Sequence, residues 1–421
     1  MRVRYSILAA LTLSLLFATP SVADTLSLKQ QAKNAYELKR YPQALALARQ
    51  ATESNPGDAE AWFLRGWYNH YMCYDTRPLP GFSQKTSDST LRFLERAVKL
   101  DPKLGDAYYF IGAEYGCRCR DALCRGDADQ ARAELRAARS KKAYPDWALE
   151  YCRNMLKSCA QDAIVLVDGD IIVNSIAYLQ LVEGYRPDVT AMHSWNRPRM
   201  ALLFKDGIPG AVTPAPISWT RDQIMDRQSY QWNGDTIRIP VKPEVVKSLG
   251  IAARDRPPES EMRFPVAGPW MSTFTALLID LLETNQWRRP MYLTPEMSDL
   301  APSESCLQDC GLVRRLLPVN ATRYGLQIDT TRVKGVLLDP ASYRDLATLR
   351  DHDMPRVSGI LFNYRAGLGS LALYYDALGD SIARNRVLDQ MATLIPDSIV
   401  PMPPQAAEYL KQLRKGTQKG R

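Results

Sequence analysis

The chain has 421 residues, a formal net charge of +8, eight cysteines and three histidines. This length allows two or three domains with cores of ordinary size, so disulfides are not needed to replace a hydrophobic core. The lysines and arginines are scattered except in the tail at 411–421. That distribution is typical of a solvated basic surface and argues against nucleic acid as a partner.

Residues 1–23 have the three parts of a cleavable secretory signal peptide. Two arginines give a positive start, 7–18 is an apolar run too short to span a bilayer, and 21–23 offers small residues for cleavage. The sequence therefore predicts cleavage before Asp24 and a mature chain without a transmembrane span. We expect it to work in the periplasm or outside the cell.

Residues 24–150 repeat a pattern of small residues and prolines with a period of about 34 residues. Three units place these residues at equivalent positions: Ala32, Ala44, Ala51 and Pro56; Trp62, Gly66, Ala97 and Pro102; Tyr108, Gly112, Ala133 and Pro145. The small residues let two helices approach closely, and the proline ends the second helix. The spacing resembles the tetratricopeptide repeat, which implies an array of helical pairs that holds a protein partner on one face.

The cysteines favour disulfides, because their number is even and the signal peptide implies an oxidising compartment. Some fall in predicted insertions between the two helices of the second and third repeat units, and equivalent turns of an array are neighbours. The expected pairs are Cys73 with one of Cys117, Cys119 and Cys124, Cys152 with Cys159, and Cys306 with Cys310. The last pair would lie one helical turn apart. The Cys-x-x-Cys pairs of zinc ribbons are missing, so we expect no metal and no other cofactor.

Residues 151–345 have the pattern of an α/β domain. A β-branched strand at 164–167, helical spacing at 174–182 and a second strand at 189–192 predict a parallel strand–helix–strand unit. The pattern also predicts a short strand at 236–241, an apolar helix at 273–285 and a strand at 290–294.

Residues 346–421 form the last predicted segment, a degenerate helical pair within 360–395 followed by the basic tail. The expected fold is therefore α plus α/β. A tetratricopeptide-like helical array comes first, the α/β domain follows, and a C-terminal helical pair ends the chain.

Several segments of the second half resemble a family of membrane proteins related to transmembrane protein 260 and to protein O-mannosyltransferases. The matching segments are 162–170, 178–180, 186–189, 285–292 and 311–318. The resemblance implies the soluble extracytoplasmic part of such a protein, without the membrane region that holds its catalytic acid and lipid-linked sugar. No catalytic residue can therefore be transferred. The family's Asn-Asp-Thr-Phe is also replaced here by Ile-Ile-Val-Asn at 171–174.

The motif Asp168-Gly169-Asp170 allows two interpretations. Two carboxylates at the end of a strand can hold Mn²⁺ or Mg²⁺ against a sugar nucleotide. In the second interpretation, which we prefer, Gly169 makes the turn and Asp170 caps the following helix. His193 and Trp195 follow the second predicted strand, at the edge where α/β units bind ligands. Asp168, Asp170, His193 and Trp195 are therefore the candidate ligand-binding residues.

Two functions follow from these patterns. The first is an exported, non-catalytic binding or scaffold protein of the cell envelope, with a protein partner on the repeat array. The alternative is an enzyme or sugar-binding module in extracytoplasmic glycan transfer, for which an envelope glycan would be the ligand. A deep pocket that holds Asp168, Asp170 and His193 would favour the alternative.

Overall fold

A computed structural model describes residues 26–74, 82–251, 261–266, 268–349 and 354–415. The predicted signal peptide at 1–23 and its cleavage site lie outside the described residues. No helix in the described parts of the chain is long and apolar enough to cross a membrane.

The N-terminal part consists of consecutive helical hairpins. Its helices are α1 (Leu28–Glu37), α2 (Tyr41–Ser54), α3 (Ala59–Tyr74), α4 (Gln84–Leu100), α5 (Gly105–Cys124) and α6 (Ala128–Ser140). The small residues of the repeat pattern lie where helices touch. Ala44 and Ala97 are fully buried, and a Cβ on Gly66 would lie 2.7 Å from Leu94. Helices α1 and α3, and then α3 and α5, also contact each other, so the first helices of the hairpins share one face.

The insertion predicted in the third repeat unit does not exist. Helix α5 runs unbroken through 117–124, and only three residues separate it from α6. The cysteine cluster therefore lies on a helix and not in a loop. Gly112 and Gly116 of this helix pack against Tyr144 and Asn174.

A mixed sheet forms the centre of the second half. The helices and strands of this part of the chain are α7 (Asp146–Ser158), β1 (Ile164–Leu166), α8 (Asp170–Leu181), β2 (Thr190–Met192), α9 (Pro198–Asp206), α10 (Arg221–Asp226), β3 (Tyr230–Gln231), β4 (Thr236–Pro240), α11 (Pro243–Ser248), β5 (Glu261–Pro265), β6 (Trp270–Met271), α12 (Thr273–Asn285), β7 (Met291–Leu293), β8 (Leu307–Asp309) and β9 (Arg314–Leu316). The strand order is β2-β1-β7-β9-β8. Strand β1 pairs in parallel with β2 and β7, and β9 is antiparallel to β7 and β8.

The parallel strand–helix–strand unit predicted from the sequence is confirmed. Strand β1 is fully buried, as is typical of parallel strands. The predicted short strand at 236–241 is β4, which pairs with β5 in a separate two-stranded sheet. The fold class, α plus α/β, agrees with the expectation.

The chain ends in helices α13 (Thr330–Leu337), α14 (Met354–Ala377), α15 (Ser381–Leu394) and α16 (Pro404–Lys415). Helices α14 and α15 pack along each other, and α16 contacts both. A 3-10 helix at Pro340–Thr348 packs against α7 and connects this region to the α/β part.

The predicted disulfides are not formed in the described residues, where Cys117, Cys119, Cys124, Cys152, Cys159, Cys306 and Cys310 are all free. The side chain of Cys73 lies outside the described residues. Cys152 lies on α7 and Cys159 directly follows the end of that helix, about two helical turns or 10 Å away, which exceeds disulfide reach. Cys306 and Cys310 flank the extended strand β8 and not a helical turn, so about 13 Å of backbone separates them.

Candidate functional site

The carboxyl ends of β1, β2 and β7 meet at one edge of the sheet. Helix α8 connects β1 to β2 on one side, and β7, which comes later in the chain, lies on the other side of β1. The chain reverses its winding direction at this point, and open α/β sheets bind ligands there. Asp168 follows β1 and His193 follows β2. These two candidate residues therefore lie at the edge where ligands are expected.

The turn after β1 depends on Gly169, as predicted. Its φ of 85° lies in a region that L-residues rarely adopt. The prediction that Asp170 caps α8 is wrong, because Gly169 occupies the cap position and no side chain bonds there. Asp170 is the first residue of the helix, where a carboxylate interacts only with the helix dipole. Its side chain is therefore available for a contact elsewhere.

Asp170 contacts the helical array. The Tyr109 hydroxyl donates to Asp170 Oδ2 at 3.4 Å, and Arg120 Nη2 lies 4.0 Å from Asp170 Oδ1. Arg120 Nη1 also donates to Asn174 Oδ1 at 2.9 Å. Tyr109 and Arg120 belong to α5, whereas Asp170 and Asn174 belong to α8. Asp170 therefore helps to hold the array against the α/β domain.

Close packing of α5 on α8 requires small residues. Asn174 is 2% exposed and donates from Nδ2 to the Gly112 carbonyl at 3.3 Å. A Cβ on Gly116 would lie 2.2 Å from Asn174 Oδ1. Gly112, Gly116 and Arg120 follow one another at four-residue spacing, which places them on one face of α5. That stripe could have identified the contact, had the segment been predicted as a helix.

His193 is half-buried at the end of β2, with its ring 5.6 Å from that of Phe204. Burial, together with the positive charges of Arg120 and Arg197, lowers the pKa of His193 to about 3. The imidazole is therefore neutral near pH 7. A base with so low a pKa is far from the value that suits general acid–base catalysis at neutral pH.

The other two candidates have different surroundings. Trp195 is 1% exposed and packs edge-on against Phe274, with ring centroids 4.6 Å apart. It belongs to the core and is not accessible to a ligand. Asp168 is exposed. Arg120 thus lies near both Asp170 and His193, whereas Trp195 and Asp168 have other surroundings.

A cavity of about 50 Å³ lies beside His193, between β2, α8 and α9. Its wall is apolar for the most part and includes Val173, Ile176 and Phe204, but neither Asp168 nor Asp170. It holds one or two water molecules at most. Among the described residues, no three histidine, cysteine or acidic side chains come close enough together to hold a metal ion.

Two arginines in the segments that resemble the membrane protein family, Arg186 and Arg289, make hydrogen bonds that support the fold. Arg186 donates to the carbonyls of Leu156, Cys159 and Ala160 and pairs with Asp188 at 2.7 Å. That hydrogen bond lowers the pKa of Asp188. These bonds hold the chain that enters β1, so Arg186 supports the fold.

Arg289 acts in the same way from the start of β7. It donates to the carbonyls of Asp162, Ala163 and Pro214 and to the Thr190 hydroxyl. The Asn285 side chain in turn bonds the backbone of Arg289 in both directions.

Sequence reasoning missed an aromatic surface on the array, formed by the partly exposed side chains of Tyr36, Trp67 and Tyr71 together with the buried rings of Phe63 and Phe110. Trp67 lies at its centre, with ring centroids 4.9 Å from Tyr36 and 5.6 Å from both Phe63 and Phe110. Tyr36, Trp67 and Tyr71 are partly exposed. Three of these side chains recur at four-residue spacing in α3, a signal that the sequence contained.

The first helices of the array also contain a buried contact between His70 and Glu114 that sequence reasoning missed. His70 Nδ1 lies 2.7 Å from Glu114 Oε2, and both side chains are almost fully buried. The pair connects α3 with α5. Its signal was weak, because a lone histidine and a lone glutamate in different helices show no pattern in sequence.

Comparison with known proteins shows a likeness over a short stretch of the chain. No family model matches the chain. Over 58 residues the chain is 41% identical to the mouse (Mus musculus) protein O-mannosyl-transferase TMEM260. The match covers 12% of this chain and 8% of the mouse protein. It supports the resemblance to O-mannosyltransferase-related proteins over that stretch.

Proposed function

We propose that this chain is an exported, non-catalytic binding protein of the cell envelope whose helical array holds a protein partner. In this proposal α1–α6 are three repeats of the tetratricopeptide type. The observation that carries it is the aromatic surface, whose partly exposed rings Tyr36, Trp67 and Tyr71 lie on the first helices of the first two hairpins and pack with the buried rings of Phe63 and Phe110. Repeat arrays present extended surfaces to their partners.

The aromatic and charged side chains of this region suit a contact with a protein partner. Aromatic side chains supply most of the energy at the centres of protein interfaces, while charged groups form the rim. Lys29, Lys33 and Glu60 lie on α1 and α3, the same helices that carry Tyr36 and Trp67, and Glu60 pairs with both lysines at 2.5 and 2.6 Å. An aromatic centre near paired charges suits a peptide with one or two apolar anchors.

The α/β domain acts as a platform in this proposal. Asp170 and Asn174 contact Arg120 of α5, so the third hairpin is held against α8. A fixed third hairpin would orient the aromatic surface. Since Asp170 has a structural contact and His193 is neutral at pH 7, both residues are better suited to support than to chemistry.

The test uses two tryptophans of the same helix. Trp67 lies in the aromatic surface, whereas Trp62 packs against Phe93 of α4 and donates from Nε1 to the Pro56 carbonyl. Linear peptides selected from a displayed library on the mature chain should bind the Trp62→Ala variant with parent affinity. Trp67→Ala should weaken them at least about tenfold, as expected for a hot-spot residue. Equal binding to both variants would reject the aromatic surface as the site.

A second candidate function is a sugar-binding or catalytic module in extracytoplasmic glycan transfer. The short likeness to a protein O-mannosyl-transferase and the exposed Asp168 at the ligand-binding edge of the sheet favour it. Titration with Mn²⁺ and a sugar-nucleotide hydrolysis assay test it on the parent, Asp168→Asn and Asp170→Asn. Tight Mn²⁺ binding with turnover, both lost in the variants, would replace the binding proposal with this one.

A further inference from the structure

A cavity of about 400 Å³ lies in the C-terminal helical region, between α14, α15 and α16. Its wall is mainly apolar and includes Leu388, Met391, Met402 and Leu410. This volume falls at the lower end of the range for small-molecule sites, which are typically apolar with a few polar groups. The cavity is distant in sequence from every residue assigned above to the array and to the sheet edge.

Arg365 of α14 lines this cavity, and its guanidinium is buried but only partly paired. Its side chain is 2% exposed. Nη2 donates to the carbonyls of Ile395 and Val400 and to Asp397 Oδ1, at 2.7 to 2.8 Å. Nε and Nη1 have no hydrogen-bond partner among the described residues. Since arginine has five N–H donors, the three on Nε and Nη1 are unused.

The unused N–H donors of Arg365, and not an excess of positive charge, favour an anion. Three of the lining residues are cationic, Arg365, Lys411 and Arg414, and each has an acidic partner, Asp397, Glu408 and Asp389 respectively. Buried guanidinium N–H groups without an acceptor are costly, and a carboxylate is the acceptor that matches them best. A bound anion would therefore complete the hydrogen bonding of Arg365.

We propose that this cavity binds a medium-chain fatty acid. The carboxylate accepts hydrogen bonds from Arg365, and the aliphatic chain lies along Leu388, Met391 and Leu410. A monocarboxylate has two oxygens for the three unused N–H donors, whereas a phosphate would bring more charge than one buried guanidinium balances. A peptide fits less well, because the apolar wall offers few partners for its amide groups.

The experiment is a calorimetric titration of the full mature chain with decanoate, decanol and acetate. Decanoate should bind at one site, while decanol lacks the charge for Arg365 and acetate lacks the chain for the apolar wall. Each control should bind at least about tenfold more weakly, because each loses one of the two interactions. Failure of decanoate to bind, or equal binding of decanol, would overturn the proposal.

Variants separate the cavity from non-specific binding. Arg365→Gln removes the charge but also affects the bonds to Ile395 and Val400, so a second variant fills the space instead. Ala407 is exposed and lines the cavity, so Ala407→Trp should block entry while the fold persists. Both variants should weaken decanoate at least about tenfold. Arg386→Gln, which removes an exposed charge of α15 outside the cavity, should bind as the parent does. Unchanged binding by Ala407→Trp would place decanoate elsewhere.

Discussion

Gly116 is required by the contact between two helices and not by its own backbone conformation. It lies inside α5 with an ordinary helical φ, yet an added Cβ would meet Asn174 Oδ1 at 2.2 Å. Asn174 cannot move away freely, because it also bonds Gly112 and Arg120. The absence of a side chain at Gly116 therefore sets how closely the array approaches α8.

We expect Gly116→Ala to destabilise the protein. Overpacking costs about 1–3 kcal/mol, which exceeds the gain of about 0.5–1 kcal/mol from better helix propensity. Gly335→Ala is the matched control, since Gly335 is an exposed helical residue whose Cβ would meet nothing within 4 Å. That control should gain stability. Urea unfolding followed by circular dichroism measures both, and shifts of the same sign would contradict the close contact.

The depressed pKa of His193 makes the free energy of unfolding decrease as the pH falls. Unfolding returns the pKa from about 3 to its ordinary 6.5, so the unfolded chain binds a proton between these values and the folded chain does not. This contribution is complete above pH 6.5 and is lost as the pH falls from 6.5 towards 3.

His193→Asn should remove that part of the acid sensitivity. The parent should lose at most about 1.4 kcal/mol per pH unit through this group between pH 6.5 and 4. Thermal or urea unfolding of both proteins at pH 7, 6, 5 and 4 measures the difference in slope. If the two slopes are the same, the pKa of His193 is not depressed in the folded chain.

At the scale of elements, the contact between α7 and the 3-10 helix at Pro340–Thr348 has the opposite pH dependence. Glu150 is buried on α7 and accepts the Asp345 backbone N–H at 2.9 Å. Burial raises the pKa of Glu150 to about 7. The folded chain therefore holds a proton between pH 4.5 and 7 that the unfolded chain does not. Its contribution is present below pH 4.5 and is lost as the pH rises through 7.

Glu150→Gln tests this contact. The amide keeps an acceptor for the Asp345 N–H but does not ionise, so the variant should gain stability relative to the parent as the pH rises from 5 to 8. The gain should be at most about 1.4 kcal/mol per pH unit in that range. Urea unfolding across the range measures it. Gln308→Glu at a distant buried position would show whether any buried carboxyl gives the same slope.

Helix α5 shows where sequence patterns stopped being informative. Its apolar and glycine positions do not alternate between a core side and a solvent side, because α3, α6, α8 and α9 surround it. A helix buried on most sides loses the amphipathic period that identifies helices. The repeat spacing therefore placed the cysteines of 117–124 in an insertion, and the disulfides expected from that insertion were wrong.

At the scale of the whole molecule, export is the prediction that sequence supports most directly. The N-terminal signal pattern predicts that the mature chain begins at Asp24. Expression of the full chain in a bacterial host with a secretory pathway, followed by N-terminal sequencing of the protein from the envelope fraction, measures it. Retention of Met1 in that fraction would contradict cleavage.

Sequence by itself determined the fold class, the parallel unit around β1 and the positions where small residues lie between helices. These features depend on local periodicity and on runs of apolar residues, which a single chain segment contains in full. The turn at Gly169 was predictable for the same reason, because only glycine adopts that φ easily.

Only the tertiary structure decided what the candidate residues do. Asp170 was expected to cap a helix, but its partners Tyr109 and Arg120 lie 61 and 50 positions earlier in the chain. His193, Trp195 and Arg365 likewise acquire their character from burial among distant segments. Distance in space and solvent exposure are set by how helices and strands pack, so no local pattern could assign these side chains to a contact, a core or a cavity.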